Sequence, residues 1–186
     1  MLNSSYQSLG EITLPDFSNR QYYMHGFDLA NPHMPEGFED YLEPVIELCR
    51  KAGQFIGKAY VTVDEKVVKA GQTQRRPGPH VDGCYLEHMR HWGHGGWNHS
   101  CNAIPERMSV IVAASVSGCK VWGGSFDAIP TDSGDLSHIS DQLGLGEVLP
   151  PNTGYLLSPD CIHESLPFEK DTQRTFLRIA LPTIGE

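Results

Sequence analysis

The segment Arg-Arg-Pro-Gly-Pro-His-Val-Asp-Gly, at residues 75–83, carries the side chains best suited to chemistry. His80 and Asp82 are two residues apart, so on an extended strand their side chains project from the same face. An imidazole and a carboxylate from one strand, together with a second imidazole from elsewhere, form the 2-His-1-carboxylate triad that suits non-haem Fe(II). Such a triad leaves metal positions open for a cosubstrate and O₂. The segment therefore predicts a metal site if another histidine lies nearby.

The histidine that can complete the triad is His163, in the strand-like run Pro-Asp-Cys-Ile-His-Glu-Ser at 159–165. The H-x-[DE] pattern alone is weak, because nine histidines and 23 acidic residues in one chain produce roughly one such pattern by chance. A surface histidine beside a solvated aspartate is therefore the alternative for His80 and Asp82. The context provided by His163, and by Arg174 eleven residues later, favours the metal site.

The order His80-x-Asp82, His163, Arg174 resembles that of the Fe(II)/2-oxoglutarate-dependent oxygenase superfamily. The run 149–158 resembles the turn and strand that precede the distal histidine in that superfamily. The run 174–181 resembles its final strand, which carries a basic residue for 2-oxoglutarate. The resemblance covers about residues 55–182, most of the chain. In one departure, Phe176 stands two residues after the arginine, where many members have Ser or Thr.

This resemblance implies a mainly β fold, a double-stranded β-helix (jelly roll) with one or more flanking helices. It implies a dioxygenase that hydroxylates an unidentified substrate, a small molecule or a side chain, with O₂ while converting 2-oxoglutarate to succinate and CO₂. His80, Asp82 and His163 would be the catalytic metal ligands for Fe(II), and Arg174 would bind the cosubstrate 2-oxoglutarate. Ascorbate is a further cofactor that the resemblance admits.

The elements that must position these residues are one helix and a series of short strands. Apolar residues at three-four spacing predict a helix over 39–52 that ends at Gly53, with Asp40 and Glu43 as a capping pair. Residues 1–35 are predicted to be an irregular lead-in, since three prolines interrupt them. About eight strands follow, and turn-forming residues predict two hairpins, Phe55–Val63 with Lys66–Lys69 across Asp64-Glu65 and Met108–Val116 with Cys119–Trp122 across Ser117-Gly118.

Alternation along 174–181 divides the last strand into two faces. The face that carries Thr175, Leu177, Ile179 and Leu181 is apolar and is expected to pack under the helix. The opposite face carries Arg174 and Arg178, about 13 Å apart along the strand, and is expected to look into the barrel. Arg178 is therefore predicted to bind substrate or to support the cosubstrate, with an internal salt bridge, for example to Glu164, as the alternative.

Two long segments, 84–107 and 124–146, are predicted to frame the entrance, because loops of this length are more often functional than structural. Trp92 and Trp97 are predicted to bind substrate by closing over it, with a plain surface loop as the alternative. The same loop contains His88, His91, His94 and His99, whose spacing is reminiscent of zinc ligands, but its many glycines argue against a rigid zinc site.

Composition excludes several classes of function. The chain has 186 residues and a formal net charge of −9. It is expected to form a single oxygenase domain over 1–186, with its core at about 55–182. A duplex nucleic acid is not an expected partner, because no basic stripe is present to neutralise phosphates. Five cysteines without CxxC spacing indicate reduced thiols, and the start of the chain has no signal-peptide pattern, so a cytoplasmic location is expected. No apolar stretch approaches the length of a membrane span.

Three classes of function remain open at this point. The first is the 2-oxoglutarate-dependent oxygenase. The second is a cupin-like metal enzyme without a cosubstrate, and the third is a jelly-roll binding module without catalytic activity. Arg174 separates the first class from the second, since a buried cation behind the metal serves a dicarboxylate. The triad separates both from the third class.

Overall fold

The fold is mainly β, a jelly roll of antiparallel sheets with one α-helix on its outside. The computed structural model describes residues 1–82, 108–131 and 133–182. Within these residues the chain forms eleven strands, one helix (α1, Leu42–Lys51) and two 3₁₀ turns at Glu39–Tyr41 and Ser137–Gln142. The strands are β1 Leu2–Ser4, β2 Tyr6–Glu11, β3 Gln21–Asp28, β4 Lys58–Val68, β5 Met108–Ala114, β6 Cys119–Trp122, β7 Gly124–Phe126, β8 Glu147–Val148, β9 Thr153–Leu157, β10 Ile162–Ser165 and β11 Thr172–Pro182.

The described strands form a large sheet and two small ones. The large sheet has six strands in the order β2-β9-β5-β11-β4-β3, and the small sheets have the orders β10-β6-β8 and β1-β7. Every pairing is antiparallel, and β11 lies between β4 and β5 near the centre of the large sheet. This central place gives β11 neighbours on both edges, so its register is fixed along most of its length.

Helix α1 covers the outer face of the large sheet, as the apolar stripe predicts. Its buried residues Val45, Leu48 and Cys49 pack with Leu177 and Ile179 of β11 in one apolar cluster. The approach is close at β9, where a Cβ on Gly154 would lie 2.3 Å from a methyl carbon of Leu48. Only glycine allows the helix to lie so near the sheet.

The inner face of the large sheet forms a second apolar layer. Val110, Val112, Phe176 and Ala180 from the large sheet pack there with Val121 of the small β10-β6-β8 sheet. The alternation predicted for the last strand is therefore confirmed, with Leu177 and Ile179 on the helix side and Phe176 and Ala180 on the inner side.

The first 35 residues are not an irregular lead-in, contrary to the sequence prediction. They contain β1, β2 and β3, of which β2 and β3 form the two edges of the large sheet. These strands are half-exposed, so their sequences lack the strong apolar alternation of inner strands. Their structure comes from pairing with β9 and β4, which is a tertiary effect that local propensity does not show.

The predicted hairpin across Asp64-Glu65 is also wrong, because both residues lie inside the continuous strand β4. Their carboxylates are fully buried on opposite faces of the sheet. Glu65 Oε1 accepts a hydrogen bond of 2.6 Å from the hydroxyl of Tyr41, on the helix side. Asp64 Oδ2 lies 3.2 Å from Lys66 Nζ and 3.4 Å from an Arg75 nitrogen, on the other side. Two adjacent acidic residues are typical of an exposed turn. Here Lys66, Arg75 and Tyr41 provide partners for the two carboxylates, so the two residues can lie inside a buried strand.

The second predicted hairpin is wrong for a different reason. β5 and β6 belong to different sheets, so Ser117-Gly118 carries the chain from one sheet to the other. A Cβ on Gly118 would lie 2.7 Å from the ring of Phe168 and 3.5 Å from Arg174 Cζ, so the glycine is required by packing. The segment 124–146, predicted as a loop, contains β7 and the second 3₁₀ turn.

The helix begins without the predicted capping pair. Neither the 3₁₀ turn nor α1 has a side-chain hydrogen bond at its N-cap, and Asp40 forms an ion pair with Arg20 instead. Arg20 also reaches Glu65, with its Nε 3.3 Å from Oε1. The end of the helix at Lys51, two residues before Gly53, agrees with the prediction.

None of the helices in the described part of the chain combines the length and apolarity that crossing a bilayer requires.

We predict that Glu65→Gln lowers the free energy of unfolding by about 1.5–3 kcal/mol at pH 7, the range for hydrogen bonds to a charged group. Burial by itself raises the pKa of Glu65, but the hydrogen bonds from Tyr41, Ser18 and Arg20 outweigh burial and lower it. The ionised carboxylate therefore stabilises the fold above about pH 4.3, the value for an unfolded chain. This stabilisation is lost as pH falls through the lower folded pKa.

Urea denaturation at pH 7, 5 and 3 measures this effect. The difference between wild type and Glu65→Gln should be largest at pH 7 and should narrow as pH falls through the lowered folded pKa of Glu65. The matched control is Glu47→Gln, which removes an exposed pair with Lys51 and should cost less than about 0.5 kcal/mol. Equal costs for the two variants would contradict the role given to Glu65.

Candidate active site

A backbone bridge brings together two histidines that lie far apart in the sequence. The amide of His80 donates to the carbonyl of His163, the amide of His163 donates to the carbonyl of His80, and both hydrogen bonds are 3.0 Å long. His80 also pairs with Asp135 on its other side, where Val81 donates to Gly134 at 3.0 Å. The segment that carries His80 is thus held between β10 and residues 134–136. The two imidazole rings lie 4.4 Å apart, centroid to centroid.

Each of the two imidazoles has its Nδ1 occupied by a carbonyl. His80 Nδ1 lies 2.8 Å from the carbonyl oxygen of Gly78, and His163 Nδ1 lies 2.9 Å from that of Cys161. Because a carbonyl oxygen only accepts, these contacts assign the proton to Nδ1 and leave the lone pair on Nε2. Metal-binding histidines show the same arrangement, in which the second ring nitrogen donates to a carbonyl or carboxylate.

The carboxylate of Asp82 completes a cluster with these imidazoles. Ligand atoms of His80, Asp82 and His163 all lie within 4.8 Å of one another, and Asp82 Oδ1 is 3.8 Å from His163 Nε2. The cluster matches the triad that the sequence predicts and is of a kind that can hold a metal ion. Two imidazoles and one carboxylate form the donor set preferred by non-haem Fe(II).

The electrostatics of the cluster favour its ligand forms. Burial, followed by the proximity of His163, lowers the pKa of His80 to about 3, so its imidazole is neutral at pH 7. Burial by itself raises the pKa of Asp82, but Arg178 and the two imidazoles outweigh burial and hold that pKa well below its usual value. A neutral imidazole and an ionised carboxylate are the states in which these groups bind metal.

Arg174 is a buried cation on the same side of the large sheet. Its side chain is almost fully buried, and its Nε donates to the carbonyl of Val116 at 2.8 Å. One guanidinium nitrogen donates to Gln74 Oε1, and Arg174 Cζ lies 5.4 Å from the ring centroid of Phe176. Burial lowers the pKa of Arg174 to about 10, so the side chain is charged at pH 7. No carboxylate of the described residues forms an ion pair with it.

A cavity of about 160 Å³ connects Arg174 with the cluster of His80, Asp82 and His163, here called the metal-ligand cluster after the role predicted for it. Its wall carries four arginines and two carboxylates, although the whole chain has a net charge of −9. The interior is therefore enriched in positive charge relative to the rest of the molecule, as a site for an anion requires. Its lining includes Arg75, His80, Asp82, His163, Arg174 and Arg178.

Arg178 lies in the wall of this cavity, where the alternation of the last strand predicts it. Its partner is not Glu164, the internal acid suggested by the sequence. Glu164 lies 3.8 Å from Lys120, whereas a terminal nitrogen of Arg178 lies 3.0 Å from Asp82 Oδ2. Arg178 thus contacts a residue of the metal-ligand cluster, and its predicted contact with substrate stays a prediction.

Gln74 contributes to the site and was missed by sequence analysis. Its Nε2 donates to the backbone carbonyl of Asp64 at 2.6 Å, which directs Oε1 towards Arg174. A single glutamine in a polar stretch has no pattern that would identify it. Arg75, which also lines the cavity, forms an ion pair with Asp64, and its Cζ lies 5.6 Å from the ring centroid of Phe176.

The thiol of Cys119 also lines the cavity, and burial raises its pKa to about 12. It is therefore protonated at pH 7.

Trp92 and Trp97, predicted to close over substrate, lie outside the described residues. The same holds for His88, His91, His94 and His99, and for the whole of the segment 84–107. Their roles stay predictions.

Comparison with known proteins identifies structures of the same fold. AviO1 from Streptomyces viridochromogenes Tue57 aligns with a TM-score of 0.55 at 10% sequence identity, covering 99% of this chain and 92% of AviO1. EvdMO1 aligns with a TM-score of 0.55 at 15% identity, covering 98% of this chain and 48% of EvdMO1. The apo form of the non-heme monooxygenase ThoJ aligns with a TM-score of 0.46 at 15% identity, over 83% of this chain and 60% of ThoJ.

The similarity to AviO1 and EvdMO1 is a similarity of fold. No protein-family model and no curated protein matches the sequence.

We predict that His163→Ala and Asp82→Ala each weaken the binding of Fe(II), measured by anaerobic titration, by at least about 100-fold. Each variant removes one of the three side chains that would bind the metal directly. Losing only an outer-shell partner already lowers metal affinity by about 10–100-fold, so the loss of a direct ligand should cost more. The matched control is His138→Ala, which removes an exposed histidine outside the cluster. Wild-type affinity in a His80/Asp82/His163 triple alanine variant would rule out the metal site.

Proposed function

We propose that this protein is a non-haem Fe(II) and 2-oxoglutarate-dependent dioxygenase that hydroxylates its substrate. The observation that carries the proposal is the pairing, across one cavity, of the His80, Asp82 and His163 cluster with the buried cation of Arg174. A metal cluster alone would fit many enzymes. A buried guanidinium without a carboxylate partner among the described residues is costly unless an anion joins it.

The residues present fit Fe(II). Both histidines keep Nε2 available because Nδ1 is hydrogen-bonded to a carbonyl, and Asp82 adds one carboxylate. When bound, Fe(II) would supply the activation of O₂, with one oxygen atom entering the substrate and the other entering succinate as 2-oxoglutarate loses CO₂. Zinc sites with three protein ligands also occur, but a cluster of two histidines and one carboxylate with a nearby dicarboxylate site is the set used by Fe(II) oxygenases.

The chain's own residues would bind and orient the cosubstrate. The planar guanidinium of Arg174 suits a carboxylate, because it donates two parallel hydrogen bonds. Gln74 Oε1 accepts a hydrogen bond from one guanidinium nitrogen of Arg174. The ring centroid of Phe168 lies 5.7 Å from Arg174 Cζ. Phe176, at the place where many members of the superfamily have Ser or Thr, would contribute an apolar wall in place of a hydroxyl.

The size of the cavity supports a small cosubstrate. A volume of about 160 Å³ is similar to that of an engineered cavity of about 150 Å³ that binds benzene. A five-carbon dicarboxylate extending from the triad towards Arg174 fits this scale. We propose that the whole chain acts as one oxygenase domain, and that Trp92 and Trp97 cover the substrate.

We predict that Arg174→Met weakens the binding of 2-oxoglutarate by about tenfold or more, since hydrogen bonds to charged groups contribute about 1.5–3 kcal/mol. Gln74→Glu tests the same idea without removing the cation. The new carboxylate would stand where Gln74 Oε1 contacts Arg174 and would compete with the cosubstrate for its charge. Calorimetric titration of the Mn(II)-loaded protein with 2-oxoglutarate measures both effects.

The control for Gln74→Glu is Gln72→Glu, which adds the same charge two residues away at an exposed position. It should bind 2-oxoglutarate like the wild type. Unchanged affinity in both Arg174→Met and Gln74→Glu would contradict the assignment of Arg174.

The activity itself is tested by following succinate formation from 2-oxoglutarate with Fe(II) and O₂, alone and with candidate substrates. A protein that binds Fe(II) but neither binds nor converts 2-oxoglutarate would be a cupin-like metal enzyme of another class. A protein that does not bind a metal would be a binding module.

A further inference from the structure

The two oxygens of the Asp82 carboxylate have different neighbours. Oδ1 lies 3.8 Å from His163 Nε2, on the side of the metal-ligand cluster. Oδ2 lies 3.0 Å from a terminal nitrogen of Arg178, within the distance of an ion pair. The carboxylate is thus divided between a cation on one side and the cluster on the other, which leaves one oxygen for a metal.

The two partners also differ in how firmly their backbones are held. Arg178 lies inside β11, paired with Thr62 of β4 and Val112 of β5, and its side chain is 9% exposed. Asp82 lies outside the strands, just after the bridge formed by His80. Groups on strands are positioned more accurately than groups on connecting segments. The fixed guanidinium can therefore set the orientation of the carboxylate, rather than the reverse.

The other described cations that line the cavity, and Lys120 beside it, contact groups other than Asp82. Arg75 lies against Asp64, Arg76 against Asp135 and Lys120 against Glu164. Arg174 is directed at Gln74 and the carbonyl of Val116. In the part of the chain that the structure describes, Arg178 is the one Lys or Arg within 4.0 Å of an Asp82 oxygen.

We propose that Arg178 is the positioning residue of the metal site, holding Asp82 Oδ2 so that Oδ1 faces the metal. This role rests on the metal site of the proposed function but not on 2-oxoglutarate. It differs from a substrate contact, because Arg178 acts through Asp82 whether or not a substrate is present. It also differs from a merely structural salt bridge, because its loss changes the affinity and coordination of the metal as well as the stability of the fold.

The experiment measures metal affinity and coordination in the Co(II)-loaded protein. Arg178→Met should weaken Co(II) binding by about 10–100-fold, the usual cost of losing an outer-shell partner, and should shift the d–d absorption bands as Asp82 reorients. Arg178→Lys keeps a cation near Oδ2 and should recover part of the affinity. Melting temperatures show whether each variant folds, and affinities are compared only between folded proteins.

The matched control is Lys120→Met, which removes the cation of another ion pair at the cavity wall, that with Glu164. It should leave both the Co(II) affinity and the absorption bands unchanged. Wild-type affinity and spectrum in Arg178→Met, or in Arg178→Gln if the methionine variant does not fold, would overturn the positioning role. A loss of equal size in Lys120→Met would overturn it as well, because the effect would then not be specific to Asp82.

The outcome is distinguishable from failure of the proposed function. If the wild type does not bind Co(II), the metal site itself is wrong. If the wild type binds Co(II) and Arg178→Met binds it equally well but loses substrate stimulation of succinate formation, Arg178 is a substrate contact instead.

Discussion

The candidate site depends on the paired backbone hydrogen bonds between His80 and His163. These two bonds join a segment outside the regular strands to β10, and so place two imidazoles with ring centroids 4.4 Å apart. Local structure alone would not place the His80 ring beside that of His163, since His80 lies outside the strands. The carbonyls of Gly78 and Cys161 then fix which nitrogen of each ring faces the cavity. One backbone bridge thus sets both the distance between the ligands and, with its neighbours, their orientation.

Charge is the second constraint, because the interior of the barrel holds an unusual number of ionisable groups. Most of them are balanced in pairs, such as Asp82 with Arg178 and Asp64 with Lys66 and Arg75. Paired charges are tolerated inside a protein, whereas a single buried charge is strongly disfavoured. Arg174 is the exception that suggests a ligand, since its described partners are a carbonyl and an amide oxygen. These neutral acceptors hold the guanidinium in place without neutralising it.

The pair His80 and Asp82 and the two faces of the last strand could be predicted from the sequence, because each depends on spacing within a short segment, whereas His163 was identified from the order of the motifs along the chain. His80 and Asp82 are two residues apart, and Arg174 and Arg178 are four apart. The edge strands β2 and β3 could not be predicted in this way, because pairing with distant strands stabilises them. The same holds for Asp64 and Glu65, which resemble a turn in sequence but lie in a buried strand, where Lys66, Arg75 and Tyr41 satisfy their carboxylates. Glu164 was suggested as an example of an internal acid that could pair with Arg178, whereas the fold brings Asp82 Oδ2 to within 3.0 Å of Arg178.

Both constraints meet in β11. Its odd-numbered residues Leu177 and Ile179 lie in the core under the helix, and its even-numbered residues Arg174 and Arg178 line the cavity. A slip of one residue in register would exchange the two faces, placing guanidiniums in the apolar layer and leucine beside the metal ligands. The pairing of β11 with β4 and β5 opposes such a slip. The buried Glu65 opposes it as well, because its contacts with Tyr41 and Arg20 hold β4 in place. The apolar packing against the helix therefore determines where Arg174 and Arg178 stand, so that the geometry of the site is a consequence of the core.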